Sequence, residues 1–220
     1  MGLRITSAST KFVVAIALAV VLVAGFGSRA VAVPLPPGGS VVPGAAAPPG
    51  GAIHVDSTLQ QFASQDAPLN PNGTSFTGSL QSDVWMGYPG NPLGGLTFTY
   101  ILSNNGPDRL DRLTVSDFTG YGTDVGMDAT VGTVPAVLAD RDLSGQTVIW
   151  QFGNVPGLTA GTASFRLVVH TNASQYTASL AGILNGAPAS ALSFGPSPIP
   201  EPVTLAGLAV LGLGIVARRR

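Results

Sequence analysis

Between residues 53 and 195, apolar side chains recur at every second position in short runs. They never lengthen into an amphipathic helical stripe. In residues 96–102, Leu96, Phe98, Tyr100 and Leu102 fall on one side and Thr97 and Thr99 on the other. Leu113 and Val115 alternate with Thr114 and Ser116. Val148, Trp150 and Phe152 share a face, and Phe165, Leu167 and Val169 alternate with Arg166 and His170. A strand sends successive side chains to opposite faces, so a period of two marks a strand with one side buried. Residues 54–62, 75–84 and 176–184 carry weaker forms of the pattern. Asn72-Gly73, Asn105-Gly106, Gly120-Tyr121-Gly122, Pro156-Gly157 and Asn185-Gly186 supply turns between them. The expected fold class is all-β, an antiparallel β-sandwich over 53–195.

Nothing covalent is available to hold such a fold, because the chain contains no cysteine. Its stability has to come from a packed core, which about 140 residues can supply. Residues 33–52 read differently. They are rich in Pro, Gly and Ala, as in Val33-Pro34-Leu35-Pro36-Pro37-Gly38-Gly39, and are expected to form a disordered or semi-extended linker. Between residues 33 and 199 there are four arginines, no lysine and ten aspartates, a net charge of −6. An acidic domain of this kind is a poor match to phosphate backbones, so nucleic acid is not an expected partner.

The middle of the chain offers little chemistry. There is no G-x-S-x-G elbow, no H-E-x-x-H and no P-loop, and the absence of cysteine excludes a thiol nucleophile. The two histidines, His54 and His170, are too few for a typical zinc centre. His170 is expected on the solvated side of a strand and His54 exposed at the edge of the linker. A carboxylate pair, as in glycoside hydrolysis, is the catalytic chemistry that remains. However, the aspartates mostly stand beside Gly, Arg or Ser, where Asp commonly caps turns. Asp140-Arg141-Asp142-Leu143-Ser144-Gly145 resembles the opening of a calcium loop, with Asp140, Asp142 and Ser144 as ligands. The twelfth position is Gln151 rather than the bidentate Glu such a loop needs, so a polar hairpin is the competing reading. Asp124 and Asp128 are further oxygen donors if the fold brings them near. Trp85, Tyr88 and Tyr121 are candidate stacking platforms for sugar rings, or else packing residues.

The two ends of the chain carry the most specific signals. Arg4 and Lys11 precede an apolar stretch over 12–26. Ala30-Val31-Ala32 then forms an A-x-A site, so residues 1–32 read as a signal peptide cut ahead of Val33 by signal peptidase. An uncleaved N-terminal anchor is the alternative. At the other end stand Pro200-Glu201-Pro202, an uncharged apolar run over 203–217, and Arg218-Arg219-Arg220. The two prolines fix φ and force extended geometry on their neighbours, so Glu201, the only glutamate in the chain, is presented on exposed backbone. Fifteen helical residues span about 22 Å at ~1.5 Å each, short of a hydrocarbon core of roughly 30 Å. Thinning of the bilayer or snorkelling of the arginines covers the difference. The arginines place the end of the chain on the cytoplasmic side.

This order of Pro-Glu-Pro, short apolar helix and basic stop resembles the PEP-CTERM sorting signal of exported proteins in Gram-negative bacteria that make exopolysaccharide. The resemblance covers residues 196–220. It implies an exosortase-like membrane protease or transpeptidase as processing partner, a transient stay in the inner membrane, and release or transfer to the cell surface. An unprocessed tail anchor is the competing reading. A second resemblance lies in the middle. Residues 100–108 (Tyr-Ile-Leu-Ser-Asn-Asn-Gly-Pro-Asp) with 113–117, and the stretch from Trp150 to Val169, look like Ig-like repeats of bacterial surface proteins. It departs from that pattern over 118–146, where a longer Gly- and Asp-bearing insertion is expected. A structural or adhesive module without enzymatic activity or cofactor is implied. A carbohydrate-binding module for extracellular polysaccharide is the alternative, and a carboxylate-dependent glycosidase ranks last.

Overall fold

The computed structural model describes residues 31–64, 75–153 and 157–197. Among them are thirteen strands and no helix. In chain order these are β1 (Val33–Pro34), β2 (Ser40–Val41), β3 (Gly44–Ala45), β4 (Ile53–Ala63), β5 (Phe76–Met86), β6 (Thr97–Pro107) and β7 (Arg112–Val115). They continue as β8 (Thr123–Asp128), β9 (Leu138–Arg141), β10 (Val148–Gln151), β11 (Arg166–Thr171), β12 (Tyr176–Asn185) and β13 (Ala187–Pro196). They form two sheets. The first runs β1-β8-β11-β6-β5-β4, with β3 also on β8; the second runs β13-β12-β7-β10-β9-β2. All pairings are antiparallel except β3 with β8.

One apolar core joins the sheets. Phe76, Leu80, Val84, Phe98, Tyr100, Leu102, Val125, Leu167 and Val169 point inward from the first. Leu113, Val115, Val148, Trp150, Ala181 and Ile183 meet them from the second. The period-two pattern thus has the physical meaning expected of it: each inward set is continuous from strand to strand and is removed from water. On β13 the inward positions are Ala187, Ala189 and Ala191, small residues on a strand that lies against β4 and β5. That lateral side is tied by polar contacts as well. The Tyr100 hydroxyl donates to the Phe194 carbonyl at 2.7 Å, the Phe194 N–H donates to Ser82 Oγ at 3.0 Å, and the Tyr176 hydroxyl donates to Asp56 Oδ2 at 2.9 Å.

The opposite side is closed by residues that the sequence assigns to a linker, and here the expectation for 33–52 is corrected. Strand β1 extends the first sheet by pairing with β8, β2 extends the second by pairing with β9, and β3 returns to β8. Leu35, between two prolines, is 1 % exposed within the core. Composition misleads here because proline is compatible with an edge strand, where the missing N–H is not needed. The chain then crosses the outer face of the first sheet, from β8 to β4 at the far edge. Ala46 clusters with Tyr88 and Val168, and Ala52 and Trp85 pack against that cluster. Gly126 permits this approach, because a Cβ there would sit 3.0 Å from the Ala46 methyl and 3.2 Å from the Gly44 carbonyl oxygen.

Two further expectations change. The expected insertion over 118–146 contains β8 and β9, one for each sheet. Asn105-Gly106 is not a turn but lies within β6. The signal segment through residue 30 and the apolar run 203–217 lie outside the described residues; among the described residues no helix is long and apolar enough to cross a membrane.

Candidate functional site

The outward side of the first sheet carries a group of buried polar side chains, Asp83, Thr97, Thr99, Asp124, Asp128 and His170 among them. Strand register sets Pro34, Asp124, His170, Thr97, Trp85 and His54 side by side in one row across six strands. A second row holds Gly126, Val168, Thr99, Asp83 and Ser57. An outward row on a sheet edge-to-edge would ordinarily be wet. Here the 46–52 crossing and the loop between β5 and β6 cover it, so Asp83, Thr97, Thr99, Asp124 and His170 are all buried.

His170 is therefore corrected from a solvated strand residue to a buried one. Its Nδ1 lies 2.9 Å from Thr97 Oγ1, and its ring meets Tyr88 edge-on at 5.4 Å. Asn91 Oδ1 accepts from the N–H groups of Leu93 and Gly94, so Asn91 Nδ2 is the donor to Thr97 Oγ1. The Thr97 hydroxyl proton is then free to go to His170 Nδ1, the bond that a neutral ring accepts when this nitrogen is unprotonated. Burial pushes the His170 pKa down to about 4, in the same direction. Thr97 is fully buried, so this His–Thr pair presents no nucleophile to a substrate.

His54 is exposed as expected, with its Nε2 3.3 Å from Asp83 Oδ1 and its ring tilted against Trp85 at a centroid distance of 4.6 Å. Asp83 also accepts from Ser57 Oγ at 2.6 Å and from Gln81 Nε2. The Trp85 indole N–H donates to Thr99 Oγ1, and Trp85 meets Tyr88 edge-on at 6.2 Å. Of the three aromatic candidates for sugar stacking, Tyr88 is 3 % exposed and Trp85 is half-buried between His54 and Tyr88. Both serve packing. Burial pushes the Tyr88 hydroxyl up to about 12, opposed by the charge of Arg166 nearby. Tyr121 keeps a partly exposed ring, its hydroxyl donating to the Ser197 carbonyl at 2.7 Å.

The aspartates do not all cap turns. Asp83, Asp124 and Asp128 are buried on strands, which corrects that expectation. Asp128 pairs with Arg166 at 2.5 Å and accepts from the Thr130 hydroxyl. Asp124 has no hydrogen-bonding partner among the described residues, and burial alone raises its pKa. Asp140 and Asp142 belong to the β9–β10 hairpin of the second sheet, and Asp124 and Asp128 to β8 of the first. Asp140 accepts from Ser40 Oγ at 2.5 Å and from Gln151 Nε2, so the residue at the twelfth position of the supposed calcium loop bonds the first. Asp142 closes the hairpin turn, accepting from Ser144 Oγ at 2.5 Å and the Thr147 N–H at 2.9 Å. These bonds hold its carboxyl below the usual range against the opposing effect of burial. Among the described residues no group of three or more His, Asp or Glu side chains is placed to hold a metal ion.

Between those two aspartates stands the residue that the sequence reading passed over. Arg141 is 4 % exposed. Its guanidinium donates to the carbonyl oxygens of Leu35, Phe118, Tyr121 and Gly145 and to Thr123 Oγ1, at 2.7–3.2 Å. Burial lowers its pKa, partly offset by Asp142. Arg141 and the Asp124 end of the row line a cavity of about 360 Å3, with Pro34, Pro36, Leu93 and Tyr121 among its walls. A second, of about 260 Å3, shares Leu93 and is lined by Met86, Leu96 and Asn172.

Of the residues expected to direct sorting, Pro200, Glu201, Pro202, Arg218, Arg219 and Arg220 lie outside the described residues, as does Ala30. Ala32 is described and is 5 % exposed, directly ahead of β1. Comparison with protein-family models, with curated proteins and with solved structures finds no match.

Proposed function

We propose that this chain is an exported, non-catalytic protein of the cell envelope or extracellular matrix, sorted by a PEP-CTERM/exosortase-type system. Its passenger is a β-sandwich of Ig-like or jelly-roll-like kind with a structural or adhesive role. The observation that carries this reading is the ordered tail: Pro200-Glu201-Pro202, the uncharged run 203–217 and three terminal arginines. The signal-like start agrees with it. Two features of the passenger support a structural role: many of its polar side chains are consumed in internal bonds, and the His170–Thr97 pair is buried, with Tyr88 against the imidazole. The burial of Ala32 beside β1 implies that signal cleavage precedes folding, since a protease needs extended, accessible backbone.

Expression of the chain in an exosortase-bearing host, followed by fractionation, tests the reading. The wild-type chain is expected at the surface or in the medium, and Glu201→Ala is expected to accumulate in the inner membrane. Identical distribution of the two would remove the sorting claim.

A further inference from the structure

The cavity beside Asp124 has an unusual chemical balance. Every polar side chain on its walls except one already has a partner. All three guanidinium nitrogens of Arg141 donate to carbonyl or hydroxyl oxygens. The Thr123 hydroxyl donates to the Leu35 carbonyl at 2.7 Å, the Tyr121 hydroxyl to Ser197, and the Gly122 N–H to Asn172 Oδ1 at 3.0 Å. The exception is the Asp124 carboxylate. Its residue is 7 % exposed, it lines the cavity, and no described side chain or backbone N–H reaches it. The remaining walls are the rings of Pro34, Pro36 and Tyr121 and the side chain of Leu93.

We infer that this cavity binds a small organic cation, a primary ammonium on a short apolar stem. The ammonium supplies the donors and the charge that Asp124 lacks, and the stem lies against the proline rings and Leu93. Charge selects the class. A buried carboxylate without a partner is costly, and an ammonium group offsets that cost more fully than a neutral hydroxyl does. A sugar ring would bring several hydroxyls to a cavity that has one free side chain to meet them. A divalent metal ion would need several anionic or carbonyl oxygens, and Asp124 is the one carboxylate on these walls. Arg141 is the one like charge facing the ligand. Its charge is shared among five oxygen acceptors, so the ammonium belongs at the Asp124 end. Holding an unpaired carboxylate below the surface weakens the free protein, a pattern common where stability is exchanged for binding.

Calorimetric titration of the full-length chain at pH 7.5 and low salt, with n-butylammonium, 1-butanol and methyl glucoside as probes, tests the inference. Butylammonium is expected to bind at least roughly tenfold more tightly than butanol, as a charge-assisted hydrogen bond implies. Asp124→Asn is expected to erase that preference while melting at or above the wild-type temperature, because it removes an unpaired buried charge. Leu93→Trp, which fills the cavity from the loop side and leaves Asp124 in place, is expected to abolish binding. Equal affinity for butanol, binding of methyl glucoside alone, no butylammonium binding, or undiminished binding by either variant would each overturn it.

Discussion

Arg141 and His170 show how much of this protein depends on single buried polar side chains. Arg141 joins the N-terminal segment, the 118–123 loop and the β9–β10 hairpin through carbonyl acceptors that have been withdrawn from water. Replacing it by Leu leaves those acceptors unsatisfied, so Arg141→Leu is expected to cost about 3 kcal/mol or more in urea unfolding. Arg141→Lys is expected to recover little, since one ammonium cannot reproduce the planar fork. His170 makes stability dependent on pH. Its folded pKa is depressed to about 4 from an ordinary 6.5, so the unfolded chain binds the extra proton first as pH falls. The stabilisation is complete above pH 6.5 and is lost as pH drops toward 4, about 3 kcal/mol in all at 1.36 per pKa unit. The raised pKa of Asp124 acts in the opposite sense, relieving the fold as that carboxyl is protonated. Thermal melts of the wild type and His170→Gln between pH 7 and pH 4.5 check this: the variant is expected to show the shallower acid slope. The local sequence gives no hint of either role. Period two places His170 on the non-core face correctly, but its burial depends on residues distant in sequence, such as Tyr88 from the β5–β6 loop. Arg141 was hidden between two aspartates whose spacing suggested a metal.

At the level of elements, legibility follows side-chain size. Strands β6, β7, β10 and β11 were readable because large apolar residues alternate with polar ones. Strand β13 was not, because its inward residues are alanines and it contains two prolines. Only its pairing with β12 and its contact with β4 and β5 make it a strand. Strand β8 was missed for a related reason. Its outward positions are Asp124, Gly126 and Asp128, which read as loop until a second layer covers them. The same second layer turns the Pro-rich 33–52 segment from a supposed linker into structure. Leu35→Ala is accordingly expected to cost about 2–4 kcal/mol, the range for a fully buried leucine. Gly126→Val is expected to push Ala46 away and to raise amide hydrogen exchange at residues 44–47 well before global unfolding. A linker would leave both values at the wild-type level.

For the whole molecule, the two sheets with one shared core follow from the alternation in the sequence, while the closure of the sides does not. One side is held by Tyr100, Tyr176 and Phe194, the other by Arg141 and the segment carrying β1 and β2. Each tie joins residues dozens of positions apart, and no local pattern announces them. The proposed address of the protein has the reverse character. It is written in contiguous residues at the two ends and owes nothing to the fold. Export and folding meet at one place, the Ala32–Val33 bond, where the proposed cleavage would leave β1 and the buried Leu35 at the head of the mature domain. Intact-mass measurement of the protein recovered from the surface or medium of an exosortase-bearing host examines both ends together. A mature chain that begins at Val33 and lacks Arg218, Arg219 and Arg220 is the expected result. A chain that retains Met1 or carries an unprocessed C-terminus through Arg220 would contradict the proposed sorting.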